Sequence, residues 1–476
     1  MALERAGGFI GTGYRPITPG GCARIRRADA DKRRNQPKMR IGVFGQGWWK
    51  AACEALGHDV VELPVAVPPN GNAYAADVNA RSASGSKATE LLARQRVDLL
   101  LDNGGAGLGF ARRPNDEKDA KLAHEAAGAV LCSHFIDPLV AAFQGLPSAT
   151  TWQALQSTSW VKCVWDRAQT LELRRFDVPN VVHLPMAAPD RIYNTEPIDP
   201  RRTKPIVSFV GGQNTTFFTS GSSVPTDRLF RGALAHAARG DLPSVTFYGV
   251  YHDLYGLGAP VRPDDDIETK ITKMLAYFRA KVFYNASLSV RNRDRFVIFL
   301  HRHLGDRFHL AGRGWDSAYG LKTRAPFPTY DEYLAHFREA AINLNLVNGN
   351  AETGLNMRHF EITAAGGFLL CYDHPELSES FEVGKECVAF SDEADLLDKI
   401  EYYFDHPDER ASIARAGQRR TLLQHLYSHR LRTLLGLLKE ADALAADGEV
   451  ALSRERRHHA VDDSPEFAAA SSGSHR

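Results

Sequence analysis

Short apolar runs, each ending in glycine or a polar turn and each followed by a helical stretch, recur along this chain from residue 40 to residue 372. Arg40-Ile41-Gly42-Val43-Phe44 ends in Gly45-Gln46-Gly47 and leads into a helix from Trp48 to Leu56. Further strands are expected at 60–63, 97–101, 129–132, 161–165 and 181–184, with a helix over 88–95. The pattern restarts with Ile206-Val207-Ser208-Phe209-Val210 and continues with strands at 245–248, 308–311, 342–346 and 368–372. Helices are expected at about 267–283 and 288–304, behind the Thr329/Glu332 capping box, and near 356–365. Continuous apolar strands alternating with helices predict parallel sheets covered on both faces.

The break between the two series is a linker over 185–204, with Pro185, Pro189, Pro197 and Pro200. The expected organisation is a disordered basic extension over 1–38, a Rossmann-like domain over 39–184, the linker, a second Rossmann-like domain over 205–445 and a disordered tail over 446–476. A chain of 476 residues suits two or three domains. With 58 Lys+Arg against 57 Asp+Glu the net charge is +1, which argues against a nucleic-acid partner and suits a small-molecule enzyme. No apolar run approaches the roughly 18 residues of a membrane helix, so no transmembrane segment is expected. Of the six cysteines none forms a C-x-x-C pair, and Cys132, Cys163 and Cys371 sit in strand-like runs. Buried thiols of that kind predict a reducing, cytoplasmic setting. Two doubly wound domains in tandem place a cleft between the carboxyl ends of two sheets, so residues just after each strand are the candidates.

Residues 341–373 read AINLNLVNGNAETGLNMRHFEITAAGGFLLCYD, and Phe381-Glu382-Val383-Gly384-Lys385-Glu386 and His425-Leu426-Tyr427-Ser428-His429-Arg430 follow. This run resembles the carboxyl-terminal domain of GT-B glycosyltransferases, in particular the CgeB-like spore-maturation group. Gly312-Arg313-Gly314-Trp315 resembles the group's strand-end motif, Ser208-Phe209-Val210-Gly211-Gly212 its domain-opening strand, and Asp137-Pro138 its Asp-Pro pair. The similarity is clear over about 300–430 and weak in the amino-terminal half.

The resemblance implies an α/β chain of GT-B architecture, two doubly wound Rossmann-like domains facing across a cleft. It implies a nucleotide-sugar donor on the second domain, an acceptor of unknown identity on the first, no cofactor, no metal, and retention of configuration. Glu361 matches the position of the carboxylate that holds the ribose diol, and a carboxylate suits that task because it accepts two hydroxyl donors at once. The wider pattern has a second glutamate eight residues upstream; that position is Thr353 here, and Glu352 lies nine upstream.

Arg313, with Trp315 beside it, and Arg358 are the cations expected at the diphosphate. Gly211 and Gly212 allow close backbone approach, and the amides of Gly354-Leu355-Asn356 open a helix towards phosphate. In the first domain His134 is the candidate base with Asp137 orienting it or the acceptor, and Gly45, Gln46, Gly47 and Trp48 form a cleft loop. Plain structural alternatives stand beside these: an Arg358–Glu361 salt bridge one helical turn apart, a satisfied loop histidine at 134, and Trp48 as core packing. Asp264-Asp265-Asp266 reads as helix capping rather than metal binding. The rival functions are a sugar-nucleotide epimerase on the same plan and a non-catalytic two-domain binding protein.

Overall fold

The computed structural model describes residues 38–45, 47–65, 78–111, 121–137, 139, 148–213, 262, 264–266, 268–274, 277, 281, 285, 289, 293–325 and 327–446. Gln46, Pro138, the expected strand at 245–248 and both expected tails, apart from Lys38 and Ala446, lie outside the described residues.

Among the described residues the strands form two parallel sheets. The first contains β1 (Arg40–Phe44), β2 (Asp59–Leu63), β3 (Leu99–Asn103), β4 (Leu131–Phe135), β5 (Trp160–Val164) and β6 (Val181–His183), in the order β2-β1-β3-β4-β5-β6. Every residue of β3, β4 and β5 is buried, as a sheet covered on both faces requires. The second contains β7 (Lys204–Val210), β8 (Phe308–Ala311), β9 (Ala340–Asn345), β10 (Leu369–Tyr372) and β11 (Val388–Phe390), in the order β11-β10-β9-β7-β8. This is the expected α/β class, with two doubly wound domains meeting across a cleft. The Thr329/Glu332 capping box is present and opens the helix Tyr330–Glu339.

Two local departures have physical causes. The helix expected over 88–95 runs from Val78 to Arg94. Its first half is rich in serine and glycine and reads as loop, yet Gly85 is there for contact: a Cβ on it would fall 2.3 Å from the Phe110 carbonyl oxygen. The strand expected to end at Cys132 continues to Phe135, pairing Ser133 with Lys162 and His134 with Cys163.

The domains are also tied together more closely than a single linker would tie them. The last helix, Tyr427–Ala446, packs against the helix Gly47–Ala55 of the first domain. Tyr427, Leu431, Leu434 and Leu435 share one apolar cluster with Ile41, Trp49, Ala52 and Cys53. Burying a leucine is worth about 1.5–3 kcal/mol, while an exposed ion pair contributes about 0–1, so this apolar face is what docks the helix. Met274 and Tyr277 likewise belong to the first domain's core, with the Tyr277 ring 4.7 Å from Phe176.

Candidate functional site

A cleft of about 330 Å³ lies between the two sheets. From the first domain it is walled by Trp48, beyond β1, and by Ile136, Asp137, Trp165 and Met186, beyond β4, β5 and β6. From the second it is walled by the end of β7 through Gly211 and Gly212, the residues after β9, and the first turns of the helix Met357–Ala365. In the second sheet β7 has β8 on one side and β9 on the other, so the wall sits where the strand order reverses, the usual ligand crevice of an open α/β sheet.

Of the residues singled out from the sequence, Trp48, Asp137, Gly211, Gly212, Asn356, Arg358 and Glu361 line this cleft. Gly45 and Gly47 precede Trp48; Gly45 has φ +77° and turns the chain out of β1. Trp48 also stacks on Tyr427 at 5.6 Å, so packing and cleft lining are both true of it. Asp137 has its carboxyl raised above the usual range by burial, with the Asn350 amide 3.4 Å away.

Three candidates are placed elsewhere. His134 is 0% exposed because β4 carries it into the core. Its Nε2 donates to the Leu184 carbonyl at 2.8 Å, and its ring lies 5.8 Å from Trp49 and 5.7 Å from Tyr427. Burial lowers its pKa to about 4, so it is a neutral packing residue with no route to an acceptor. Arg313 is exposed outside the cleft, and Trp315 is in the core. The Gly-Arg-Gly-Trp run acts through the close approach of its glycines and through the Trp315 indole. Gly314 has φ +88°, and a Cβ on it would fall 2.3 Å from the Gln213 carbonyl oxygen. Trp315 Nε1 donates to the Gly211 carbonyl at 2.6 Å, fixing the turn after β7 from behind.

Glu361 is 3% exposed, on the wall but nearly enclosed. Its Oε1 accepts the Tyr330 hydroxyl at 2.8 Å and its Oε2 the Tyr333 hydroxyl at 2.6 Å. Arg358 lies 3.7 Å from Oε2, the one-turn pair foreseen as the alternative, while still lining the cleft. Burial raises the Glu361 pKa, against the pull of Arg358 and of Tyr330.

One of the three amides expected to face phosphate, that of Gly354, is used differently. Asp166, just beyond β5 and capping the helix Arg167–Arg175, sends its carboxylate across to the second domain. Its Oδ2 accepts the backbone N–H of Glu352 at 2.7 Å, Thr353 at 2.8 Å and Gly354 at 2.9 Å. Gly354 is therefore an interdomain contact rather than a free donor. A Cβ on it would fall 2.8 Å from the Trp165 carbonyl oxygen and 2.9 Å from its ring. Gly354→Ala is expected to lower stability by about 1–3 kcal/mol, the usual cost of overpacking; urea denaturation checks it, and an unchanged midpoint would mean the domains stand further apart.

Sequence reasoning missed Asp166, which looks like an ordinary N-cap, and Arg293, whose guanidinium lines the cleft 5.5 Å from the Trp315 ring and bonds Asp294 and Asn348. The run of alternating arginines at 291, 293 and 295 was the available signal for Arg293. Glu352 pairs with Lys281 at 2.6 Å. Asp266 accepts from the Thr269 amide at 2.7 Å and Asp265 pairs with Lys273 at 2.7 Å, which is capping and surface pairing. Among the described residues no group of three His, Cys, Asp or Glu is placed to hold a metal ion.

Residues 291–436 match the protein-family model described as glycosyl transferase-like. That stretch carries β8 to β11, Arg358 and Glu361. No curated protein matches the chain. Among solved structures, a sucrose-phosphate synthase from Thermosynechococcus elongatus is 11% identical, with 85% of this chain and 100% of that one covered at a TM-score of 0.44. A glycosyltransferase from Rickettsia africae is 11% identical, with 85% and 99% covered at 0.41. The HepE protein of Anabaena, solved in complex with UDP, is 11% identical, with 84% and 92% covered at 0.36. At such scores the likeness is too loose to carry a residue from one structure to another.

Proposed function

We propose that the protein is a glycosyltransferase of the CgeB-like group, moving a sugar from a nucleotide-sugar donor to an acceptor hydroxyl with retention and without a bound metal. The observation that carries this reading is the meeting on one cleft wall of Glu361 and Arg358, from the stretch that matches the glycosyl transferase-like family, with the Gly211-Gly212 turn that precedes it. Glu361 offers a carboxylate to a ribose diol, and Arg358 with Arg293 supplies cations to a diphosphate. Asp137, across the cleft, takes the acceptor side, where its carboxyl can orient an acceptor hydroxyl. The buried, unpaired Cys53, Cys132, Cys163, Cys371 and Cys387 suit a reducing compartment such as the cytoplasm. Among the described residues no helix is long and apolar enough to cross a membrane.

The test is a thermal-shift screen with UDP, GDP, ADP, CDP and TDP, followed by release of the nucleoside diphosphate from the matching nucleotide sugar with and without chelator. One nucleotide should stabilise the protein by about 2.7 kcal/mol at a hundredfold excess over its dissociation constant. Asp137→Asn should lower turnover and leave donor affinity unchanged, and chelator should change nothing. Failure of every nucleotide to stabilise the protein would favour the non-catalytic binding protein.

A further inference from the structure

The two hydroxyls on Glu361 match, in number and kind, what a ribose diol would bring: one O–H donor for each carboxylate oxygen. They differ in how firmly they are held. Tyr333 is 9% exposed, with its ring 4.6 Å from Phe337, 5.8 Å from Phe327 and under the Arg358 guanidinium at 4.9 Å. Tyr330 is 37% exposed. It is the first residue of its helix, and the capping bonds there belong to Thr329 and Glu332, so its side chain can turn outward without unmaking the helix start. Its ring touches Tyr333 at 5.4 Å and the guanidinium of Arg191, from the interdomain linker, at 5.1 Å. Arg191 in turn pairs with Asp331.

We propose that Tyr330 competes with the donor's ribose for Glu361: its hydroxyl leaves Oε1 when a ribose hydroxyl arrives, while Tyr333 stays on Oε2. This rests on the nucleotide-sugar reading. Its consequence is that wild-type protein exchanges one hydroxyl for another on binding and gains little from the ribose contact. A deoxynucleotide leaves Tyr330 where it is and loses correspondingly little. Tyr330 thus sets how strongly the site distinguishes ribose from deoxyribose.

The experiment is calorimetric titration of wild type, Tyr330→Phe and Tyr333→Phe with the nucleoside diphosphate selected by the screen and with its 2′-deoxy and 3′-deoxy counterparts. Tyr330→Phe should bind the ribonucleotide about tenfold more tightly, the low end of one hydrogen bond to a charged group. The deoxy form lacking the exchanged hydroxyl should bind wild type and variant alike, so the ribose-to-deoxyribose ratio widens by the same factor. Tyr333→Phe should give no tightening, and Arg191→Ala, which frees the Tyr330 ring, should tighten binding in the same direction by less. Tyr330→Phe binding the ribonucleotide as wild type does, or more weakly, would overturn the competition alone. Absence of nucleotide binding in wild type and every variant would remove the donor reading, and this inference with it.

Discussion

Lys281→Met is expected to destabilise the protein by about 3–5 kcal/mol at pH 7.5, the range for breaking a buried ion pair from one side. Lys281 is 1% exposed and its ammonium bridges Glu172 of the first domain and Glu352 of the second, both buried. Burial by itself would lower the ammonium's pKa, but the two carboxylates outweigh it and hold the pKa above its ordinary value. Without the lysine two buried carboxylates face each other, and the Glu172 pKa, already raised by burial, loses the ammonium that pulls it down and rises further. A carboxyl whose folded-state pKa is raised stabilises the fold below its unfolded value and ceases to do so as pH rises through the folded one. The deficit should therefore be smaller at pH 5 than at pH 7.5. Urea denaturation at the two pH values checks this, and Glu172→Gln/Lys281→Met/Glu352→Gln should recover most of the loss. A loss under about 1 kcal/mol would mean that water reaches the triad.

Asp166→Ala should lower stability by roughly 3 kcal/mol or more, because it strands three consecutive backbone amides whose acceptor is a buried charge. The cap of the helix Arg167–Arg175 goes with it, through the lost bond to the Gln169 amide at 3.0 Å. Since the contact joins the two domains, the radius of gyration in small-angle scattering should rise as well. Nearby, Arg167 grips Glu379 with two bonds of 2.7 and 2.6 Å, but both side chains are half exposed. Arg167→Ala should accordingly cost under about 1 kcal/mol. An Asp166→Ala variant that melts and scatters like wild type would show that solvent already satisfies those amides.

The strands were legible because short apolar runs between turn residues carry their own signal, and β1, β8 and the Thr329 capping box lie where local chemistry puts them. Glu361 was legible as a wall residue through the run from Gly354 to Gly367. Its hydroxyl partners were not, because Tyr330 and Tyr333 sit on a different helix and no local spacing connects them to it. His134 was misplaced because polar Ser133 and His134 look like the end of a strand. The sheet continues through them because Ser133 accepts from the Trp160 indole at 2.8 Å and His134 from within the core reaches Leu184. Asp166 illustrates the same limit: a cap is visible in a single helix, whereas a carboxylate shared with another domain exists only once the chain has folded.

The return of the helix Tyr427–Ala446 to the first domain has a consequence for biogenesis. All six described strands of that domain leave the ribosome before residue 184, yet the helix that covers Trp49, Ala52 and Cys53 is among the last described segments to be made. At about 5–20 residues per second the interval is on the order of tens of seconds. Through that interval the apolar face of Trp49, Ala52 and Cys53 lacks the helix that covers it in the finished chain, and a premature stop ahead of residue 427 would leave that face without this cover.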